Sequence, residues 1–257
     1  MVILCIGDVV SKEGCSFLTQ KLSGIKKFYG CDICIVNGEN SAVGNGVTRK
    51  SLEQLVIAGA DVVTSGNHAF KRRDALELFD ECEYLLRPYN YHPSLPGHGF
   101  LLYDLGYASV LIANLAGNTF MDRCGDPFSA ADEILSKIPD SVKVRIFDIH
   151  AEVTSEKTAL ALYLDGRASV LFGTHTHVQT ADEQVYPKGL GYITDVGMVG
   201  PIFSVLGLDP QGITRKLITG MPERFEVSQN PVELCGAIFE VDEKTGLCMG
   251  VQRLSIK

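Results

Sequence analysis

Eight side chains of types that bind metal ions or move protons stand at or just beyond the ends of short apolar runs: Asp8, Glu39, Asn40, Asn67, His68, His150, His175 and His177. Their placement is regular. Short apolar runs lead directly into them: residues 2–6 into Gly7-Asp8, 33–36 into Gly38-Glu39-Asn40, and 61–64 into Gly66-Asn67-His68. Residues 142–147 lead into Asp148-Ile149-His150, and 170–172 into Gly173-Thr174-His175-Thr176-His177. Each group alone has an ordinary reading. An Asp after a strand forms a turn or caps a helix, and Asn67 suits a turn equally well. His150 alone reads as a hydrogen-bonded core histidine. His175 and His177 say more, because alternate residues of an extended segment point to one side and can face a common centre.

Five such groups together suggest metal chemistry. The donors are carboxylates, amides and imidazoles, and no strand end carries cysteine. Nitrogen and oxygen donors suit Fe, Mn, Zn or Ni rather than a thiolate site. Seven or eight donors are too many for one tetrahedral ion. They suit two ions sharing a bridging carboxylate, held about 3.5–4 Å apart.

The elements that must position these groups alternate between apolar runs and helical patterns. The runs 2–6, 33–36, 61–64, 110–113, 142–147 and 170–172 are short and rich in β-branched residues, as buried strands are. Between the first two, Phe17, Leu18, Leu22, Ile25 and Phe28 keep helical spacing, with Gly30 as a C-cap. Thr48 reads as the N-cap of a helix closed at Gly59, and residues 155–164 as a helix stopped by Asp165-Gly166. Thr154 and Ser155 read as helix caps. Residues 237–241 and 248–254 read as an antiparallel hairpin. Strands alternating with helices indicate an α/β architecture. The carboxyl edge of such a sheet is where sites are built, so groups distant in sequence are expected on one rim. Residues 1–257 read as one domain containing two sheets or one large mixed sheet, and 87–99 as a long surface loop.

Of 257 residues, 46% are hydrophobic and 21% charged, with a net charge of −8. This excludes disordered, collagen-like and coiled-coil chains. The acidic balance argues against broad binding of long nucleic acid. Eight cysteines in a chain this long are not a disulfide scaffold. Cys31 and Cys34 form a lone C-x-x-C and read as small buried hydrophobes. MVILCIGDVV has no basic lead and too short an apolar run for a signal peptide. No uncharged stretch reaches the roughly 18 residues of a spanning helix. The expectation is a cytoplasmic protein with reduced thiols, away from membranes. A homo-oligomer is compatible with the sequence.

The order of motifs resembles the calcineurin-like metallophosphoesterases, and more closely their YmdB-like branch, in which Gly38-Glu39-Asn40 replaces the usual acidic bridging motif. Other matching stretches are 44–48, 151–157, 163–167, 173–182 and 192–201, so the resemblance spans essentially the full chain. It implies a four-layer α/β/β/α sandwich with mixed sheets, a two-iron site (Mn or Zn being alternatives) and phosphodiesterase activity on small cyclic nucleotides of the 2′,3′- or 3′,5′-cyclic AMP type. It makes Glu39 the bridge, gives Asp8 and His177 to a first metal, and gives Asn67, His150 and His175 to a second. Position 10, where the wider superfamily has an imidazole ligand, is Val10. Asn40 is the natural replacement.

Two cations sharing a water lower its pKa from 15.7 to about 7. The resulting hydroxide would attack phosphorus while the metals stabilise the charge that develops. His68, next to Asn67, is assigned as the general acid for the leaving oxygen, against a role in orienting the bound phosphate. Gly44-Asn45-Gly46 suits either a backbone approach to phosphate or a turn before the Thr48 helix. His92 and His98 read as surface histidines, and Asp195 as a residue behind the site with no identified partner. A phosphomonoesterase or protein phosphatase on the same site, and a nucleotide sensor with little turnover, are the alternatives.

Overall fold

The computed structural model describes residues 1–122 and 124–257. Its elements begin with β1 (Val2–Ile6), β2 (Asp8–Val9), α1 (Ser11–Tyr29), β3 (Ile33–Asn37), α2 (Arg49–Ala58), β4 (Val62–Thr64) and α3 (Ala75–Glu81). The middle of the chain forms β5 (Phe100–Asp104), β6 (Ser109–Ala116), α4 (Pro127–Lys137), β7 (Val144–His150), α5 (Thr154–Leu164) and β8 (Val170–Thr174). The remainder forms β9 (Gln184–Val185), β10 (Gly191–Ile193), β11 (Met198–Pro201), α6 (Pro210–Thr219), β12 (Val232–Val241) and β13 (Cys248–Ile256).

The strands make two mixed sheets. One has seven strands in the order β2-β11-β12-β1-β3-β4, with β13 also paired to β12, and the other has six in the order β5-β6-β7-β8-β10-β9. Alternation along the strands decides the layering, because successive side chains point to opposite faces. In β1, Ile3 and Cys5 enter the core between the sheets, while Leu4 and Ile6 face the helices. In β3, Ile33 and Ile35 go inward, and Cys34 and Val36 outward. In β6, Val110 and Ile112 meet them from the opposite sheet, while Leu111 and Ala113 face outward. Leu18 and Leu22 of α1, Leu52 and Leu55 of α2 and Phe79 of α3 cover the first sheet. Ile134 of α4 and Leu160 of α5 cover the second. The result is the four-layer α/β/β/α sandwich with mixed sheets.

Three of the expected caps are present. Thr48 accepts from Ser51 N at the start of α2, and Gly30 and Gly59 close α1 and α2 in the left-handed region. Several expectations need correction. Asp148 and His150 lie within β7 rather than beyond it. Asp8 opens β2 instead of capping α1, whose N-cap Val10 makes no side-chain bond. Thr154 and Ser155 do not cap α5: its N-cap is Val153, without a side-chain bond. Phe28 is 80% exposed, because α1 buries the stripe through Leu18, Leu22 and Ile25 and Phe28 falls outside it. Cys34 is buried, but Cys31 only partly so. The loop 87–99 is anchored at its start, where the Arg87 guanidinium donates to the carbonyls of Pro88, Tyr89 and Pro96. The hairpin is longer than expected, and β5, β9, α3, α4 and α6 had no counterpart in the sequence reading. Among the described residues no helix is long and apolar enough to cross a membrane.

Truncating the inter-sheet core is expected to be costly. Ile35→Ala should destabilise by about 2–5 kcal/mol, whereas Phe28→Ala should stay within about 0.5 kcal/mol of the parent. Urea denaturation measures both, and equal effects would contradict this layering.

Candidate metal centre

The inward-facing register that builds the inter-sheet core turns polar at the carboxyl ends of its strands. In β3, Ile33 and Ile35 are followed two residues on by Asn37, and in β4 Val62 is followed by Thr64. In β7, Val144 and Ile146 lead to Asp148 and His150, and in β8, Val170 and Phe172 lead to Thr174. The turns just beyond these ends deliver Glu39, Asn40, Asn67, His68, His175 and His177 to the same place. Glycine makes the approach possible: a Cβ on Gly66 would lie 2.1 Å from His150 Cδ2.

The structure brings all eight predicted residues together. His150 Nε2 has Asn67 Oδ1 at 2.9 Å, His175 Nδ1 at 3.0 Å and Glu39 Oε1 at 3.2 Å. His177 Nε2 lies 3.5 Å from Asp8 Oδ1 and 3.2 Å from Asn40 Nδ2. The Asn40 amide also donates to Asp8 Oδ1 and Glu39 Oε1, each at 3.3 Å. Glu39 therefore touches both groups. Asp8 Oδ2 accepts from His175 N at 3.0 Å, which joins them from the other side. His68 places Nδ1 3.0 Å from Asn40 Oδ1 and 3.1 Å from Glu39 Oε1, and its backbone N–H donates to Glu39 Oε2.

The hydrogen count decides whether such a cluster suits cations. Asp8 and Glu39 are fully buried, and among the described residues neither pairs with Lys or Arg. The single proton that His150 Nε2 can carry cannot serve three neighbouring acceptors. Glu39, His150 and His175 each offer a ligand atom, all within 4.8 Å of one another. Converging lone pairs on buried carboxylates, imidazoles and amide oxygens fit hard or borderline cations. Asn40 joins this set once its amide is turned to present oxygen, an exchange that leaves its shape unchanged.

The electrostatics of the centre follow from this crowding. Burial pushes the Glu39 carboxyl up, but His150 and then His68 outweigh it and hold Glu39 well below the usual carboxylate range. Burial likewise opposes ionisation of Asp8, and His177 outweighs it, leaving Asp8 lowered. Burial lowers His150, but Glu39 and Asp8 overcome this and raise it to about 9. His175 is pushed down, first by burial and then by the charge on His150.

Residues behind the ligands fix their orientation, and of these sequence reasoning had placed only Asp195. Thr174 Oγ1 donates to Asp148 Oδ1 at 2.8 Å and lies 2.9 Å from His150 Nδ1, which leaves His150 Nε2 facing the centre. Thr64 Oγ1 donates to Asp148 Oδ2 at 2.5 Å, and Asn37 Nδ2 reaches the same oxygen at 3.3 Å. Glu152 lies 3.1 Å from His175 Nε2, which turns His175 Nδ1 inward. Asp195, whose partner the sequence did not identify, pairs with Lys157. The signal for Asn37, Thr64 and Thr174 was the period of two along each strand. For Glu152 and Lys157 periodicity gave none, although both fall in the matching stretch 151–157.

The centre opens into a cleft of about 1210 Å³, bordered by Asn45, Lys71, Glu152, Arg224 and Phe225. Gly44, Asn45 and Gly46 all lie in the left-handed region and form a turn before α2. Asn45 Nδ2 approaches His68 Nε2 at 3.3 Å. His92 and His98 are exposed and line none of this cleft.

Comparison with known proteins follows the same outline. The family described as YmdB-like protein matches residues 4–254. A Bacillus subtilis protein named 2′,3′-cyclic-nucleotide 2′-phosphodiesterase is 40% identical over 256 residues, covering 100% of this chain and 97% of that protein. A crystal structure of a Thermus thermophilus protein described as hypothetical superposes with a TM-score of 0.93 at 38% identity, over 100% of this chain and 99% of that one. A Mycoplasma pneumoniae structure described as a novel phosphatase gives a TM-score of 0.94 at 36% identity, over 100% and 93%.

Gly66→Ala tests the close approach. The new methyl must displace the His150 ring, so metal binding should weaken about 10–100-fold, the range for disturbed surroundings of a ligand. Dialysis against chelator-buffered Mn²⁺ followed by elemental analysis measures this. Unchanged affinity would mean that His150 has no part in holding the ion.

Proposed function

The chain belongs to the YmdB-like protein family, and on that premise we propose that it is a metal-dependent phosphodiesterase that opens 2′,3′-cyclic nucleotides. The observation that carries this reading is the convergence of two buried, ionised carboxylates with three imidazoles and two amides at the head of an open cleft. Its full-length similarity to a named 2′,3′-cyclic-nucleotide 2′-phosphodiesterase supports the substrate class. In this reading Glu39 lies between two cation positions. Asp8, Asn40 and His177 would hold one cation, and Asn67, His150 and His175 the other. Iron is the proposed metal, with Mn or Zn able to take its place on the same donors. Two bound cations would supply an acidified water and neutralise charge on the phosphoryl oxygens.

The chain's own residues do the rest. His68 hydrogen-bonds through Nδ1 to Glu39, which leaves Nε2, beside Asn45, to face the cleft. From there it gives a proton to the departing ribose oxygen, so that the product leaves as an alcohol rather than an alkoxide. The cleft volume accommodates a nucleotide, and its polar rim at Asn45, Lys71 and Arg224 suits ribose and phosphate. The acidic chain fits a small phosphodiester better than long nucleic acid. Hydrolysis of 3′,5′-cyclic AMP and a cytoplasmic setting belong to the same proposal. A phosphomonoesterase is the second reading, favoured by the similar structure described as a phosphatase.

Purified, metal-loaded protein should convert 2′,3′-cyclic AMP to a nucleoside monophosphate and prefer a chromogenic bis-ester over the corresponding mono-ester. Faster mono-ester cleavage would favour the second reading. Nucleotide binding without product would make the protein a sensor. His68→Ala should retain both ions and lose about 10²–10⁴-fold in turnover, and equal loss of metal and activity would instead place His68 among the ligands. Asp8→Ala should bind one ion fewer per chain by elemental analysis, and full metal content would remove Asp8 from the centre.

A further inference from the structure

Lys157 and Asp195 are both fully buried and form an ion pair at 2.9 Å. Neither belongs to the set that faces the cations. Lys157 rises from the first turn of α5 and donates to the carbonyl of Thr174 at 2.7 Å. Asp195 Oδ2 accepts from Thr176 N at 3.1 Å and from Thr176 Oγ1 at 2.8 Å. Its Oδ1 accepts from Gly197 N at 2.8 Å, and its carbonyl accepts from Thr180 N at 3.0 Å. The pair therefore grips the backbone directly before His175 and between His175 and His177. Room for the lysine stem exists because residue 173 is glycine: a Cβ there would lie 2.8 Å from Lys157 Cδ and 1.9 Å from Thr194 O.

The gripped segment is strained. His175 has φ of 100° and His177 φ of 63°, in a region that residues with a Cβ seldom adopt. Such backbone persists only where its surroundings over-determine it. A buried ion pair is a poor choice if stability alone is at stake, since well-packed apolar side chains often serve as well. Apolar side chains cannot supply directional bonds to Thr174 O, Thr176 N and Thr176 Oγ1. We propose that the Lys157–Asp195 pair is a positioning unit that holds residues 174–177 so that the His175 and His177 imidazoles face their two cations. This rests on the two-cation reading given above.

The test uses the full chain with Lys157→Met and Asp195→Leu combined, which removes both charges together and leaves none buried alone. Mn²⁺ binding is titrated calorimetrically, and thermal unfolding is followed in chelator. The expected result is a cation affinity about 10–100-fold weaker than wild type, with unfolding in chelator close to wild type. Affinities within about twofold of wild type would overturn the proposal, whatever happens to the unfolding temperature. If the double variant does not fold, Thr176→Val decides: it removes one bond to Asp195, and a severalfold loss of affinity supports the proposal while unchanged affinity overturns it. Wild-type protein taking up fewer than two ions would instead defeat the two-cation reading and is seen independently of either variant.

Discussion

The structure is organised around two carboxylates, Asp8 and Glu39, that are ionised yet shut away from water at the junction of two sheets. Burying a charge is costly unless it is paired and hydrogen-bonded. Here the balancing groups are imidazoles and amides rather than Lys or Arg, so the charge is met by side chains that can themselves bind a cation. Every other feature of the centre follows from keeping these groups apart from solvent and close to one another. The strands end in polar residues at one rim, Gly66 lets His150 come near, and Thr174 and Glu152 turn the rings.

The sandwich supplies this through one geometric rule. Side chains alternate along a strand, so the residues that fill the space between the sheets continue, two steps further on, into the site. Ile33 and Ile35 give way to Asn37, and Val144 and Ile146 give way to Asp148 and His150. The apolar stretch fixes the direction of each strand end, and the polar residue inherits it. This places a network of Asn37, Thr64, Asp148 and Thr174 in the dry interior directly beneath the ligands, where hydrogen bonds are strong and mispairing is expensive.

The two sides of the cleft are built differently. Its floor rests on the inter-sheet core, with fully buried residues in β1, β3, β4, β6, β7 and β8. Another part of its lining comes from Leu206, Leu208, Asp209 and residues 224–230, which flank α6, a helix that buries only Gly212 and leaves Leu217 and Ile218 exposed. Few buried apolar contacts mean low local stability. The centre that must hold its donors in fixed geometry thus sits on the well-packed side, and the lightly packed side borders the space where a substrate would enter.

The sequence alone determined which residues gather, because strand periodicity and the residues at strand ends are local properties. Asp8, Glu39, Asn40, Asn67, His68, His150, His175 and His177 were all legible in this way, as were the α/β alternation and the caps at Gly30, Thr48 and Gly59. Short edge strands such as Gln184–Val185 were not legible, since two exposed residues carry no periodic signal. Nor was the burial of Lys157, a residue type whose default is the surface. Only the tertiary structure decided that Lys157 and Asp195 meet 38 positions apart, that Glu152 backs His175, and that Asn40 stands beside Asp8 and His177. These are contacts between segments, and the pattern within a segment fixes where a side chain points but not which distant group stands opposite it.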